Sequence, residues 1–380
     1  MSRDPGVLIV SASAGSGHLR AAEALREAFV AEGAFRRTEH VDVLTLAPAW
    51  VQQVYGGGFE LVTSRAPWIW RELYARTDGQ TLDRARWGPL AQTLLFRAFR
   101  RLATNGRWRA IVCTHFLPAQ LAARHSDLPA LHLVVTDFTL HRFWLQPAVH
   151  RFYAATDSLA EQIRLRTGAP AVATGIPVAA GFAAARAAIH GSAVWRGARA
   201  LAGLDMRRPL VLVMGGGMGL GIETLADAAY SAGVGGLQLV IVCGRNEGAR
   251  QRLLARGWSA ECVRILGHVR AVPRLMAAAD LVVTKPGGLT TSEALAVGRP
   301  LLLTRPMPGH EEANLRELVR LGAALPAVSD DSLRDSLRRL FAAPWLLQQM
   351  TAAARAAGRP EAALHIARAV SAGAVQQTAA

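Results

Sequence analysis

Near its start the sequence carries a small-residue stretch, Ser11-Ala-Ser-Ala-Gly15-Ser16-Gly17-His18, suited to holding an anion and moving a proton. A β-branched run enters it from Val7, and Ala21, Ala22, Leu25 and Phe29 leave it at helical spacing. It therefore reads as a strand, a loop and a helix that starts at about His18. Such a loop exposes backbone N–H groups beside the positive end of a helix, which suits anions. The spacing of a dinucleotide-binding turn is absent. A histidine in a first helical turn is kept neutral by the helix dipole, so His18 could accept a proton near pH 7. The plainer alternative is a helix-start histidine that only hydrogen-bonds locally.

Four further stretches carry chemistry. Thr136-Asp137-Phe138, with His141 and Trp144 following, lies just beyond the C-terminal end of a strand, where ligands gather in open α/β sheets. Asp137 could orient His18 or His141, or cap the next turn. Leu210–Met214 runs into Gly215-Gly-Gly-Met-Gly219-Leu-Gly221, five glycines in seven residues, which lets the backbone approach a diphosphate. Thr284-Lys285-Pro286-Gly287-Gly288-Leu289-Thr290-Thr291-Ser292-Glu293 is the most specific of the set. It reads as a strand end, a turn that exposes amides, and a helix from about Thr290 with Glu293 on its first turn. That order sets phosphate-binding amides beside a carboxylate able to chelate two ribose hydroxyls, although Glu293 alone could be a capping-box residue. Pro306-Met-Pro-Gly309-His310-Glu311-Glu312-Ala313-Asn314 places polar groups at the next strand-to-helix junction.

These groups need rigid elements to position them. Short β-branched runs alternate with Ala-rich amphipathic stretches, the pattern of parallel sheets covered by helices on both faces. Strands are expected at Val7–Ser13, His40–Leu46, Ala110–Thr114, Leu131–Thr136 and Arg151–Ala155. A second series is expected at Leu210–Met214, Leu237–Cys243, Val263–Leu266, Leu281–Thr284 and Pro300–Thr304. Helices are expected from His18, near Pro89, from Pro118 and after Thr156, and again over Pro344–Val370 with a frayed tail beyond Ser371. The expected division is a first domain over 1–175, a Gly/Ala/Arg-rich linker over 176–205, a second domain over 206–343 and a C-terminal helical segment over 344–380. Two sheets, each with a Gly-rich loop on its C-terminal rim, imply a nucleotide-diphosphate or dinucleotide site in a cleft between domains.

The chain has 380 residues, enough for two cores. No apolar run is long enough to span a membrane. A strand begins within six residues of the start, leaving no room for a signal peptide. Three cysteines without paired spacing argue for reduced thiols and a cytosolic location. The net charge of +15 predicts an anionic partner: nucleic acid, a membrane surface or phosphorylated substrates. Basic residues are spread widely and no nucleic-acid module is present, so nucleic acid is not expected as a partner. The sole lysine, Lys285, falls inside the Pro-Gly-Gly motif. Pro48–Ala110 holds five of the nine tryptophans and ten arginines against four acidic residues. Trp and Arg together suit a membrane interface, whereas a surface helical hairpin with its tryptophans packed inward is the alternative.

The Thr284–Leu295 stretch and the Pro-Gly-His-Glu-Glu-Ala-Asn run resemble the donor-binding half of glycosyltransferase family 28. Gly15-Ser-Gly-His-x-x-Ala-Ala, Thr136-Asp-Phe-x-x-His-x-x-Trp and Thr174-Gly-Ile-Pro-Val178 are similar to its diacylglycerol glycosyltransferase and monogalactosyldiacylglycerol synthase branch. The match runs from about Val7 to about Leu321, in order. The resemblance implies an α/β fold of the GT-B class, two Rossmann-like doubly wound domains facing across a cleft. It implies inverting, metal-independent transfer of a hexose from a UDP-sugar to diacylglycerol, with no cofactor, by a peripheral protein on the inner face of the cell membrane. No Asp-x-Asp metal motif occurs in the sequence.

Carried over by position, His18 is the base that deprotonates the acceptor hydroxyl, with Asp137 beside it. Gly17, His141 and Trp144, and Trp68, Trp70 and Arg71 of the Trp/Arg segment, fall on the acceptor or membrane side. Gly217, Gly219, Lys285, Gly287, Gly288 and Thr290 approach the diphosphate, Glu293 the ribose, and His268 and Val269 the uracil. His310, Glu311, Glu312 and Asn314 reach towards the donor sugar or its phosphates. The family usually has Gln where this chain has His310, which changes the hydrogen-bond pattern offered to the sugar and leaves the hexose open. Other lipid acceptors, such as an undecaprenyl-linked precursor or a carotenoid, are the alternative. A nucleotide-sugar-binding membrane protein without catalysis is a further one, against which intact His18 and Glu293 argue.

Overall fold

The computed structural model describes residues 6–13, 15–52, 95–123, 128–189, 205 and 207–379. The chain divides into two compact units: Met1–Ala180 with Met307–His310 and Glu361–Ala380, and Gly181–Pro306 with Glu311–Pro360. Apart from short turns at Val43–Leu46, Ala49–Gln52 and Arg142–Trp144, the described elements of the first unit are β1 (Gly6–Ser11), α1 (Ser16–Glu32), β2 (Arg37–Asp42), α2 (Arg97–Ala103), β3 (Trp108–Cys113), α3 (Phe116–Ala122), β4 (Ala130–Val134), β5 (Arg151–Ala154), α4 (Asp157–Thr167) and β6 (Ala171–Ala173). The second contains α5 (which starts at Ala180, on the boundary, and runs to Ile189), β7 (Leu210–Met214), α6 (Ile222–Ser231), β8 (Gln238–Val242), α7 (Glu247–Leu254), β9 (Val263–Leu266), α8 (Val272–Ala278), β10 (Leu281–Thr284), α9 (Gly288–Ala296), β11 (Leu301–Leu303), α10 (His310–Arg320, whose first residue falls in the first unit), β12 (Ala324–Pro326), α11 (Asp330–Ala342) and α12 (Pro344–Ala357). A last helix, α13 (Ala362–Ala379), belongs to the first unit.

Each unit is built on a six-stranded parallel sheet. The orders are β2-β1-β3-β4-β5-β6 and β12-β11-β10-β7-β8-β9. In both, successive strands run outward on one side of the first strand and then restart on its other side. That reversal makes a crevice at the C-terminal strand ends, between β1 and β3 in one unit and between β7 and β10 in the other. The central strands β1, β7, β8 and β10 are buried along their whole length, as they must be when helices cover both faces.

The helices dock as their spacing dictates. Ala21, Ala22, Leu25 and Phe29 form one buried stripe on α1, which ends at Gly33 with φ 69 and its N–H on the Phe29 carbonyl. Ala363, Ile366, Ala367 and Val370 of α13 join the same core as Val7, Ile9, Leu25 and Phe29. In the second unit Val211, Val213, Leu239 and Ile241 meet Leu225, Leu333, Leu337 and Leu340.

Several elements differ from the sequence reading. β2 begins at Arg37, three residues before the expected His40, and β6 and β12 lie outside the expected set. They are edge strands with polar or short apolar content, so period and burial give little signal. The expected linker contains a helix, α5. The C-terminal helical run is two helices broken at Gly358-Arg359-Pro360, and the second continues to Ala379 instead of fraying beyond Ser371. Gly358 is required at that break, because a Cβ there would overlap the Leu295 carbonyl oxygen. No helix among the described residues is long and apolar enough to cross a membrane.

Candidate active site

In the first unit the loop between β1 and α1 opens at the β1/β3 crevice. The Asp42 carboxylate, at the end of β2, accepts from the Ser13 N–H at 3.1 Å and the Leu44 N–H at 3.1 Å. It ties the loop to the neighbouring strand. Gly15 leads into α1 without a side-chain cap, and the first turn has no acidic residue. The positive helix end is therefore not neutralised locally.

His18 sits in that turn, half-buried, one residue beyond the half-buried Gly17. Its Nδ1 lies 3.0 Å from the Thr114 carbonyl oxygen and 2.8 Å from the Thr136 hydroxyl. A carbonyl only accepts, so Nδ1 carries the proton and Nε2 carries the lone pair. The Thr114 hydroxyl in turn donates to the His18 carbonyl at 2.9 Å, fastening the helix start to the end of β3. Burial holds the His18 imidazole below its usual pKa. The Asp137 carboxylate and the Thr114 carbonyl oppose that shift without cancelling it. The result is a neutral imidazole with a basic Nε2, the state a general base needs near pH 7.

An aromatic wall surrounds it. The His115 ring stands edge-on to His18 at 4.6 Å, and Trp144 lies 6.3 Å from His18 and 6.2 Å from His115. His115 is buried, and its Nδ1 accepts the Leu117 N–H at 3.0 Å as the cap of α3. Burial, with His18 alongside, keeps its pKa well below the ordinary value. The sequence reading missed His115; its only trace was a polar residue between a buried strand and an apolar helix. His141 is buried too, and its Nδ1 accepts the Phe143 N–H at 3.2 Å, capping the short 3-10 turn Arg142–Trp144. Asp137 is half-buried beside these groups and acts on His18 through its charge. The orienting partners of His18 Nδ1 are Thr114 and Thr136. Trp68, Trp70 and Arg71 lie outside the described residues.

In the second unit the β7 and β10 loops flank the other crevice. Gly215–Gly221 folds back on itself, with the Gly219 N–H on the Gly216 carbonyl at 3.1 Å. The Arg245 N–H donates to the Gly217 carbonyl at 3.2 Å. Gly219, at φ 62, lies so close to the loop after β8 that a Cβ would overlap the Cys243 carbonyl oxygen. Its lack of a side chain is thus used for loop-on-loop packing. Gly216, at φ 73, faces open space.

After β10, half-buried Lys285 and buried Pro286 lead to Gly287, which caps α9 with extended backbone and no side-chain cap. The helix starts at Gly288, two residues before the expected Thr290, because Gly287 ends the extended chain. Glu293 consequently lies on the second turn and not the first, six residues beyond the cap and out of capping-box range. It is 1% exposed. Thr290 is half-buried on the first turn. The Thr291 hydroxyl donates back to the Gly287 carbonyl at 2.8 Å and the Ser292 hydroxyl to the Gly288 carbonyl at 2.7 Å.

α10 braces this turn. The fully buried Asn314 amide donates to the Pro286 carbonyl at 3.2 Å. The buried Glu311 carboxylate approaches Gly287. Asn314 thereby braces the turn that the Pro-Gly-Gly motif makes. His310 and Glu312 are half-buried at the start of α10. His268 is exposed and Val269 half-buried, just past the edge strand β9. Among non-glycine described residues only Arg305, at the end of β11, has a positive φ, 44°, and its guanidinium pairs with Asp330.

Residues 18–178 match the monogalactosyldiacylglycerol (MGDG) synthase family and residues 210–366 the glycosyltransferase family 28 C-terminal domain. A processive diacylglycerol beta-glucosyltransferase of Bacillus cytotoxicus is 27% identical over 384 residues, spanning 96% of this chain and 93% of the relative. The crystal structure of Acinetobacter baumannii MurG superposes with a TM-score of 0.64 at 15% identity, over 96% of this chain and 99% of the other. Phytolacca americana UGT2, solved with UDP-2fluoro-glucose and pterostilbene, gives 0.60 at 13% identity, over 98% and 100%. The fold is of the GT-B class. The chain belongs to glycosyltransferase family 28, in the branch of the diacylglycerol glycosyltransferases and MGDG synthases.

Proposed function

We propose that this glycosyltransferase moves a hexose from a UDP-sugar to the free hydroxyl of diacylglycerol, with inversion at the anomeric carbon. The observation that carries the reading is His18, whose Nδ1 is committed to Thr114 and Thr136 while Nε2 keeps a lone pair. In the proposed step Nε2 takes the acceptor proton as the hydroxyl oxygen bonds to the anomeric carbon. The bond from that carbon to the diphosphate breaks on the opposite face, and UDP leaves with the electron pair. A UDP-sugar is α-linked, so one such displacement yields a β-glycoside.

The second unit supplies what the leaving group needs. The uncapped start of α9 and the open side of the Gly215–Gly221 loop offer N–H groups to the diphosphate. Glu293 would take the ribose hydroxyls. His268 and Val269 would flank the base, and His310, Glu311 and Glu312 the sugar. On this reading amides and a helix end stabilise UDP, and neither metal nor cofactor is required. The lipid acceptor and the chain's +15 charge support a peripheral position on an anionic membrane face. The relatives' name, diacylglycerol beta-glucosyltransferase, supports the acceptor and favours glucose.

His18→Ala tests the step. It should lower kcat for glycolipid formation by about 100-fold or more, the range for loss of a general base. UDP should raise the thermal midpoint of the variant and of the parent alike. Transfer at the parental rate would remove His18 as the base.

A further inference from the structure

We propose that Thr136 is a positioning residue for the reaction, holding the His18 imidazole in the one tautomer and orientation that leave Nε2 basic. This rests on the reading of His18 as the base.

The geometry around Nδ1 is a two-point clamp. One point is the Thr114 carbonyl at 3.0 Å, which comes from backbone at the end of β3. The other is the Thr136 hydroxyl at 2.8 Å, just past the end of β4. The Thr136 hydroxyl is also 3.5 Å from the Thr114 carbonyl and can donate its own proton there. It then has only lone pairs to offer Nδ1, so both clamp points accept and both demand an Nδ1–H. Thr136 is 5% exposed and Thr114 fully buried, which leaves no ordinary access for water to replace either.

The neighbouring ring cannot undo this arrangement. His115 accepts the Leu117 N–H at its own Nδ1, so its neutral ring carries the proton on Nε2. The two histidines are thereby held in opposite tautomers with their rings 4.6 Å apart and nearly perpendicular, 88°. A carbonyl alone fixes one direction of a hydrogen bond and leaves the ring free to swing about it. The second acceptor, beyond the end of a different strand, removes that freedom. A base aimed wrongly by about 1 Å loses up to about 100-fold in rate, so the clamp acts on kcat and not on the binding of either substrate.

The test uses the full chain and the variants Thr136→Val, Thr136→Ser and His18→Ala. Thr136→Val keeps the shape and removes the acceptor. Its expected effect is a fall in kcat of about 10-fold or more with KM for both substrates unchanged, and Thr136→Ser should recover most of the loss. In 15N-histidine spectra, assigned by the signal missing from His18→Ala, the parental His18 should show a protonated Nδ1 and a pyridine-type Nε2. In Thr136→Val the ring, left with the Thr114 carbonyl as its one acceptor, is free to swing away from it, so the two nitrogens should move towards each other as tautomers mix. Parental kcat and unshifted nitrogens in Thr136→Val would overturn the proposal, as would a Thr136→Ser variant no better than Thr136→Val. If His18→Ala kept full transfer, the base reading itself would fail. The nitrogen signals, read without activity, would still decide whether Thr136 sets the tautomer.

Discussion

At the scale of the residue, the decisive feature is the pairing of burial with hydrogen bonds that use only one side of the imidazole. Burial lowers the His18 pKa from its ordinary 6.5, and Asp137 is the largest influence in the other direction. As the proposed base, His18 would work only when unprotonated, so its lowered pKa should carry activity below pH 6.5, with activity lost as pH falls through the lowered value. Asp137→Asn removes the raising charge, so the acidic limb of kcat/KM should move to still lower pH. A limb that stayed in place or moved up would show that Asp137 does not act on His18. Part of this was legible in the sequence: the position of His18 at a strand-to-helix turn was readable from Val7 to Phe29. Its partners were not, because Thr114 and Thr136 are distant in sequence and meet it only when β3 and β4 line up beside β1.

At the scale of the element, the Gly-rich loops divide by what surrounds each glycine. Run length in the sequence suggested that Gly215–Gly221 serves a diphosphate throughout. The structure separates Gly219, wedged against the Cys243 carbonyl, from Gly216, which faces open space. Gly216→Ala should cost about 1 kcal/mol for its left-handed backbone. Gly219→Ala adds overpacking against backbone of about 1–3 kcal/mol, for a total of about 2–4 kcal/mol. Urea unfolding midpoints check the pair, and equal losses would contradict the packing account. The same limit applies to α9. A strand, a turn and a helix were readable from Thr284 to Leu295. The start of the helix depended on the backbone of Gly287, which residue type alone does not settle, and Glu293 moved from first turn to second with it.

At the scale of the whole molecule, both sheets were legible because buried parallel strands are short apolar runs between helical stripes. β7, β9 and β10 have the bounds expected from sequence, while the edge strands β6 and β12, carrying few apolar residues, went unseen. The two orders, β2-β1-β3-β4-β5-β6 and β12-β11-β10-β7-β8-β9, put one crevice in each unit, and the chemistry-bearing motifs fall at those two places. His18 belongs to the first and the Gly-rich and Pro-Gly-Gly loops to the second. That distribution is what a transferase with one acceptor and one nucleotide-linked donor requires. The most direct test of the account is glycolipid formation by the purified chain on diacylglycerol in anionic liposomes, with EDTA present. Labelled UDP-glucose, UDP-galactose and UDP-N-acetylglucosamine would be supplied in turn. The account predicts label in a β-linked hexosyl diacylglycerol from UDP-glucose or UDP-galactose. No label in lipid from any of the three, with UDP still raising the thermal midpoint, would contradict diacylglycerol as the acceptor.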